Sequence, residues 1–393
     1  MSSSSDFAAK GSFASSASTA GVASPEEDER FMAEALAVGR TGLGRTWPNP
    51  SVGAVIVRHS AHGPQVIGSA ATAPAGRPHA EPQALAQAGE AAIGSTLYVT
   101  LEPCSHHGRT PPCADAVIAA GVRRVVVAVE DPDQRVKGRG IARLRAAGIW
   151  VSAGVGAEAA LHDHAGHILR VTEGRPHVLL KLALSADGKA GLPGPRPAVI
   201  TGAEARARSH MMRAHMDAIL VGIGTVKADD PMLTCRLEGY EDRSPVRLVL
   251  DSALELPLDS ALVRTACDVP VWVIGAEDAE AGREAALAER GIEVLRVPRG
   301  RGGRLYLPAV MKLLGLLGIT RLMVEGGPMV ATAFLADGLV DELALFSSPV
   351  VLGADAVDAF AGRPSHHLLS PVGFAEVERT DLGADQLVRL WRR

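Results

Sequence analysis

The chain has 393 residues, 47% hydrophobic and 21% charged, with a formal net charge of -4 at pH 7. That length exceeds what one core serves, so two domains of about 150 to 200 residues are expected. The slightly acidic balance argues against binding to a phosphate backbone and favours a small-molecule substrate.

Four cysteines in so long a chain do not make a disulfide framework, and no stretch has the length of a membrane helix or the pattern of a signal peptide. The expectation is a cytoplasmic protein with neither a membrane nor a nucleic-acid partner. Residues 1–25, rich in Ser and Ala with Lys10 as their only basic residue, read as a disordered tail rather than a transit peptide.

A first helix is predicted over residues 27–38, with acidic residues in its first turn, where the helix dipole favours them. The rigid loop Trp47-Pro48-Asn49-Pro50-Ser51 then feeds a strand at 52–57. On spacing alone Asn49 is a plain turn residue. Next come a helix at 81–92, a strand at 96–101, a helix at 114–120, a strand at 124–129, a helix at 138–147 and a strand at 149–152. This alternation predicts a largely parallel sheet covered by helices.

The chemistry of this half is concentrated in His79-Ala80-Glu81, Pro103-Cys104 and Cys113. One imidazole and two thiolates can hold zinc and leave its fourth tetrahedral position to water, which the metal acidifies enough to yield hydroxide near neutral pH. Glu81, two residues after the histidine, is the proton carrier beside that water, and H-x-E with a later P-C and a second Cys is the signature of zinc-dependent nucleobase deaminases. A purely structural zinc would want a fourth protein ligand, for which His106 or His107 stands near. The two helix starts are expected to point at the site and favour thiolate over thiol. Cys235 and Cys267 read as ordinary buried thiols.

Gly174-Arg175-Pro176 marks a break, dividing the chain into domains at 26–173 and 174–393, close enough in sequence to touch. Strands are predicted at 178–184, 218–221, 246–250, 271–274, 293–296, 321–324 and 342–346, with helices between several of them, so this half is α/β too. Gly222-Ile223-Gly224-Thr225-Val226-Lys227 lacks the third glycine of a dinucleotide fingerprint and reads as a tight turn after a strand. At Glu325-Gly326-Gly327-Pro328 a strand passes into a helix, and the glycines leave N-H groups free to cradle a phosphate; a plain helix start with Pro in its first turn fits equally well. The Arg-rich run 296–304 reads as a solvated loop.

The run 46–55, His79-Ala80-Glu81 and above all 102–113, with eight residues between its cysteines, resemble the deaminase half of the bifunctional deaminase-reductases of riboflavin biosynthesis. Lys181 to Lys189, Gly224-Thr225-Val226 with Asp229-Asp230-Pro231, Leu233, Thr234 and Arg236, and Glu325 to Pro328 are similar to the reductase half. The resemblance implies a cytidine-deaminase-like α/β/α domain followed by a dihydrofolate-reductase-like α/β domain. It implies deamination of a diaminopyrimidinone ribosylamine 5′-phosphate at a zinc ion, then NADPH-dependent reduction of ribosyl to ribityl, in a homodimer or homotetramer.

By the same resemblance Asn49, His106 and Arg109 meet the deaminase substrate. Ala183, Val199, Thr225, Asp229, Ser252 and Gly327 line NADPH, and Pro197, Arg213, Leu233, Arg236 and Glu325 meet the reductase substrate, the two arginines suiting its phosphate. At 197 and 199 the family usually has Ser and Trp where this chain has Pro and Val. That departure motivates an alternative, an active deaminase whose second domain binds ligand but is catalytically impaired. A nucleic-acid-editing protein on the same fold is disfavoured by the acidic balance and the missing aromatic platforms.

Overall fold

The computed structural model describes residues 23–108, 111–194, 199–361 and 373–393. In the first half, helix α1 (Pro25–Arg40) precedes β1 (Gly53–Ser60) and β2 (Gly63–Ala71). Then follow α2 (Ala80–Ala88), β3 (Thr96–Val99), α3 (Cys113–Ala119), β4 (Arg124–Val127), α4 (Arg139–Ala146), β5 (Trp150–Ala153), α5 (Ala157–Asp163) and α6 (Ala165–Glu173). Helix α1 starts at Pro25, two residues before the expected start. Ser24 accepts from the Glu27 N–H while the Glu27 side chain accepts from the Ser24 N–H, a reciprocal cap.

The first sheet runs β2-β1-β3-β4-β5. Only β3, β4 and β5 are parallel, because β1 pairs antiparallel with both β2 and β3. The expectation of a largely parallel sheet is corrected by the hairpin between β1 and β2, whose second strand is too rich in Gly, Ser and Ala to stand out by pattern. Strand alternation sends Ala54, Ile56, Leu97, Val99, Val125 and Val127 into a core with α2, α3 and α4, and Val55, Val57, Tyr98 and Val126 into another with α1. The result is a three-layer α/β/α unit. Gly53 is required where α1 crosses the sheet, since a Cβ there would lie 1.9 Å from the Ala35 carbonyl oxygen.

The second half comprises β6 (His177–Leu184), β7 (Lys189–Gly191), α7 (Ala203–Ala214), β8 (Ala218–Gly222), α8 (Ile223–Asp229), β9 (Val246–Leu250), α9 (Ala261–Arg264), β10 (Val271–Ala276), α10 (Ala281–Ala288), β11 (Glu293–Val297), α11 (Leu307–Leu316), β12 (Arg321–Val324), α12 (Pro328–Ala336), β13 (Glu342–Ser347), β14 (Val357–Asp358), β15 (Phe374–Leu382) and β16 (Asp385–Arg392). Nine strands form one sheet in the order β11-β10-β9-β8-β12-β6-β13-β16-β15, parallel as far as β13 and closed by the antiparallel hairpin β15-β16. From β8 the chain winds outward to β11, then returns to place β12 between β8 and β6. That reversal opens a crevice at the carboxyl ends of the central strands.

Two details differ from expectation: the strand ending at Gly222 runs straight into α8 rather than a tight turn, and Cys267 is exposed while Cys235 is buried. Arg296 lies on β11, in the strand expected at 293–296, and is held by Glu284. The two halves touch: Arg321 at the start of β12 donates to the carbonyls of His162 and Asp163, and His162 stacks on Trp391 at 3.9 Å.

Candidate functional sites

His79 is the N-cap of α2, Cys113 is the first residue of α3, and Cys104 lies between β3 and α3. Both helix starts converge on one point. The Sγ atoms of Cys104 and Cys113 lie 3.8 Å and 3.3 Å from His79 Nδ1. For a tetrahedral zinc with ordinary Zn–S and Zn–N bonds, the N···S separation is about 3.6 Å, so this donor set fits the ion. Among the described residues no fourth ligand joins the group; neither His106 nor His107 is part of it. That leaves one position open, as a catalytic rather than a structural site requires.

The hydrogen bond from Cys113, aided by His79, holds Cys104 down to about 4 despite its burial, while the same partnership and burial push Cys113 strongly up. Glu81 is 3% exposed, and burial, with the Cys104 charge adding to it, pushes its carboxyl up to about 7.

Glu102 has a role that pattern alone does not show. Its carboxylate accepts from the N–H groups of Asp131, Gly138 and Ile141, and so caps α4, whose own N-cap, Gly138, has no side chain to offer. The strand end that leads to Cys104 is thereby fixed against α4. Asn49 donates to the Gly76 carbonyl at 3.0 Å, three residues before His79. His106 is half-buried, with Nδ1 lacking a hydrogen-bond partner. Arg109 lies outside the described residues, as does Pro197.

The second site is a cleft of about 850 Å³ at the crevice of the nine-stranded sheet. Ala183, Thr225, Asp229, Ser252 and Gly327 line it, as do Arg213, Arg236 and Glu325. Val199 and Leu233 are not brought to that lining: Val199 is 76% exposed, and Leu233 is packed into the core beside Ile219 and Val226. Leu233 is apolar, and the core buries it more completely than the cleft wall would.

Arg213, on the last turn of α7, donates from Nε and Nη2 to the two carboxylate oxygens of Glu325 at 2.6 and 2.9 Å. Lys181 stands 3.6 Å from the same carboxylate. Burial alone would raise Glu325, but Arg213 and Lys181 hold it down to about 2. Arg236 has no carboxylate partner among the described residues; its guanidinium touches the Thr234 hydroxyl, and its backbone N–H donates to His210 Nδ1. The Gly326-Gly327 turn opens α12, and Gly327 N–H donates to the Thr225 hydroxyl at 3.1 Å.

Each half of the chain matches a known family. Residues 25–129 match the family described as the cytidine and deoxycytidylate deaminase zinc-binding region, and residues 176–384 match the RibD C-terminal domain. The riboflavin biosynthesis protein RibD of Aquifex aeolicus is 42% identical over 328 residues, covering 84% of this chain and 88% of that one. Its counterpart in Escherichia coli is 41% identical over 350 residues, covering 84% and 90%. Among solved structures, Acinetobacter baumannii RibD superposes with a TM-score of 0.81 at 35% identity, covering 94% of this chain and 100% of that one. A diaminohydroxyphosphoribosylaminopyrimidine deaminase/5-amino-6-(5-phosphoribosylamino)uracil reductase from Thermotoga maritima gives 0.80 at 33% identity, covering 94% and 99%. With both halves matched in the same order along nearly the whole chain, the protein belongs to the RibD family, the bifunctional deaminase-reductases of riboflavin biosynthesis.

Proposed function

We propose that the first domain hydrolytically deaminates 2,5-diamino-6-ribosylamino-4(3H)-pyrimidinone 5′-phosphate, and that the second reduces the ribosyl group of the product to ribityl with NADPH. The observation that carries this reading is the pairing, in one chain, of a three-ligand site beside a buried carboxyl with a separate cleft large enough for a nucleotide and a second ligand. The substrates are those named for the Thermotoga maritima relative.

His79, Cys104 and Cys113 would hold zinc, which when bound supplies a Lewis acid that makes water a nucleophile near neutral pH. Glu81, whose carboxyl is tuned to hold a proton near neutrality, would carry one proton of the water to the ring nitrogen and then the second, from the hydroxyl added at the ring carbon, to the amino group, which leaves as ammonia. Asn49, His106 and Arg109 are assigned to orienting the substrate.

In the second domain NADPH, when bound, would supply a hydride. The start of the nine-residue helix α12, where the Gly327 N–H is held by the Thr225 hydroxyl, suits its phosphates through the helix dipole, with Ala183, Thr225, Asp229, Ser252 and Gly327 along its length. Arg236 suits the substrate phosphate because, among the described residues, no carboxylate engages its guanidinium. Arg213 is committed to Glu325, so its part is to hold that carboxylate in place beside Lys181.

The test follows ammonia release from the diaminopyrimidine substrate without NADPH, then loss of nicotinamide absorbance once NADPH is added. Sequential release and oxidation are expected. Ammonia release with no oxidation, even from pre-deaminated substrate, overturns the reductase half, and absence of ammonia overturns the deaminase half.

A further inference from the structure

We propose that Trp47 is a positioning residue through which the second domain sets the geometry of the deaminase centre, an inference that rests on the deaminase reading above. Trp47 belongs by sequence to the first domain, in the loop between α1 and β1. Its indole nevertheless packs against the main apolar cluster of the second domain, formed by residues of β6, β8, β12, α11 and α12. Pro48 follows it onto the same surface. A Cβ on Gly318, between α11 and β12, would lie 2.8 Å from the Pro48 Cβ, while Arg170, on α6 of the first domain, donates to the Pro48 carbonyl at 3.1 Å.

The preceding residues are held likewise. Arg243 donates to the Thr41 carbonyl at 2.9 Å, Arg45 pairs with Asp242 at 3.2 Å, and a Cβ on Gly44 would meet the Ala214 carbonyl at 2.5 Å. Exposed polar contacts of this kind contribute little each. The packed indole is therefore the principal anchor.

The opposite side of this loop is tied to the segment that carries the metal ligand. Ala75 N–H donates to the Arg45 carbonyl at 2.8 Å, and the Asn49 amide donates to the Gly76 carbonyl at 3.0 Å. Arg77, Pro78 and His79 follow directly. Residues 45–49 are thus clamped between the second domain and the start of α2. With prolines at 48 and 50 the loop has few soft dihedrals, so a displacement at Trp47 is passed to Asn49 and Gly76 rather than absorbed. The deaminase centre takes its final shape from docking against the reductase, which gives a physical reason for the two activities to share one chain.

The experiment uses the full chain with Trp47→Ala and Trp47→Phe. Deamination is read as ammonia release without NADPH, reduction on pre-deaminated substrate, and zinc by metal analysis. Expected for Trp47→Ala is a raised KM and a roughly ten- to hundredfold fall in deamination kcat/KM. Zinc content and the reduction rate should be unchanged to within about twofold, and Trp47→Phe should restore most of the loss. If the alanine variant loses zinc, Trp47→Leu takes its place: it keeps an apolar side chain but gives up most of the indole surface packed against the second domain, and a raised deamination KM with zinc retained supports the proposal while an unchanged one overturns it. Unchanged deamination by Trp47→Ala in an otherwise active protein overturns this inference alone. Wild-type protein that releases no ammonia overturns the deaminase reading and this inference with it.

Discussion

Arg213 and Glu325 meet in a two-point ion pair at the floor of the second cleft, Nε to Oε1 at 2.6 Å and Nη2 to Oε2 at 2.9 Å. They come from elements 112 residues apart in sequence, one at the end of α7 and the other just beyond β12. Neither side chain is more than 14% exposed, so each depends on the other for its charge to be tolerated there.

Replacing Glu325 by Gln leaves Arg213 and Lys181 without their shared carboxylate. The second domain is expected to lose about 3 kcal/mol of stability and most of its reductase activity. The pH dependence has a definite sign. Glu325 sits at about 2 in the folded protein against about 4.3 unfolded, so its contribution is fully present above the unfolded value and is lost as pH falls from there through the folded value. Urea unfolding of wild type and variant should differ by a constant amount from neutrality down to about pH 5, and converge below that. A gap that widens on acidification would contradict the assignment.

Cys113→Ser removes a zinc ligand, whereas Glu81→Gln leaves the His79, Cys104 and Cys113 set intact. The serine variant should lose both zinc and deamination while keeping reduction of pre-deaminated substrate. The glutamine variant should keep zinc and deaminate about 10²- to 10⁴-fold more slowly. Metal analysis alongside the two assays distinguishes them, and a zinc-loaded Glu81→Gln enzyme at wild-type speed would remove Glu81 from the mechanism.

Gly140 lets α4 lie directly against the loop before Cys104. A Cβ there would be 2.1 Å from the Pro103 carbonyl oxygen and 3.1 Å from the Glu102 carboxylate. Gly140→Ala is therefore expected to cost about 1 to 3 kcal/mol and to speed zinc loss to a chelator, because the displaced residue is next to Cys104. Unaltered zinc release would show that the loop yields away from the metal site.

Asp28 on α1 accepts from both terminal nitrogens of Arg124, at 2.7 and 2.6 Å, and from the Tyr98 hydroxyl at 2.8 Å, all beneath α1. Asp28→Asn should destabilise the first domain by about 3 to 5 kcal/mol by leaving a buried guanidinium unpaired. Tyr98→Phe should cost only about 1 kcal/mol, since two charged donors remain. Equal losses from the two variants, measured on zinc-loaded protein, would show that the hydroxyl and not the charge pair holds the helix.

Much of the deaminase half was legible because its chemistry is local. His79 and Glu81 are two residues apart at a helix start, and Cys104 and Cys113 flank one loop, so identity and spacing alone pointed to zinc. The parallel strands of the second half, from β6 to β13, are short apolar runs that stand out for the same reason. What escaped was either polar or distant. Strand β2 carries no apolar run, and the hairpin β15-β16 alternates mostly half-exposed residues. Exposed Cys267 shows that residue type does not decide burial.

The sequence by itself determined which groups can carry chemistry, because a thiol, an imidazole and a carboxyl at a helix start keep their character and their spacing in any fold that forms. Only the tertiary structure decided which of those groups have partners. It gave Arg213 to Glu325, assigned Glu102 to cap α4, withdrew Leu233 into the core, and packed Trp47 of one domain against the core of the other. Each of these is a competition for burial or for a hydrogen bond between residues far apart in the chain, and such competitions are settled only when the elements have packed.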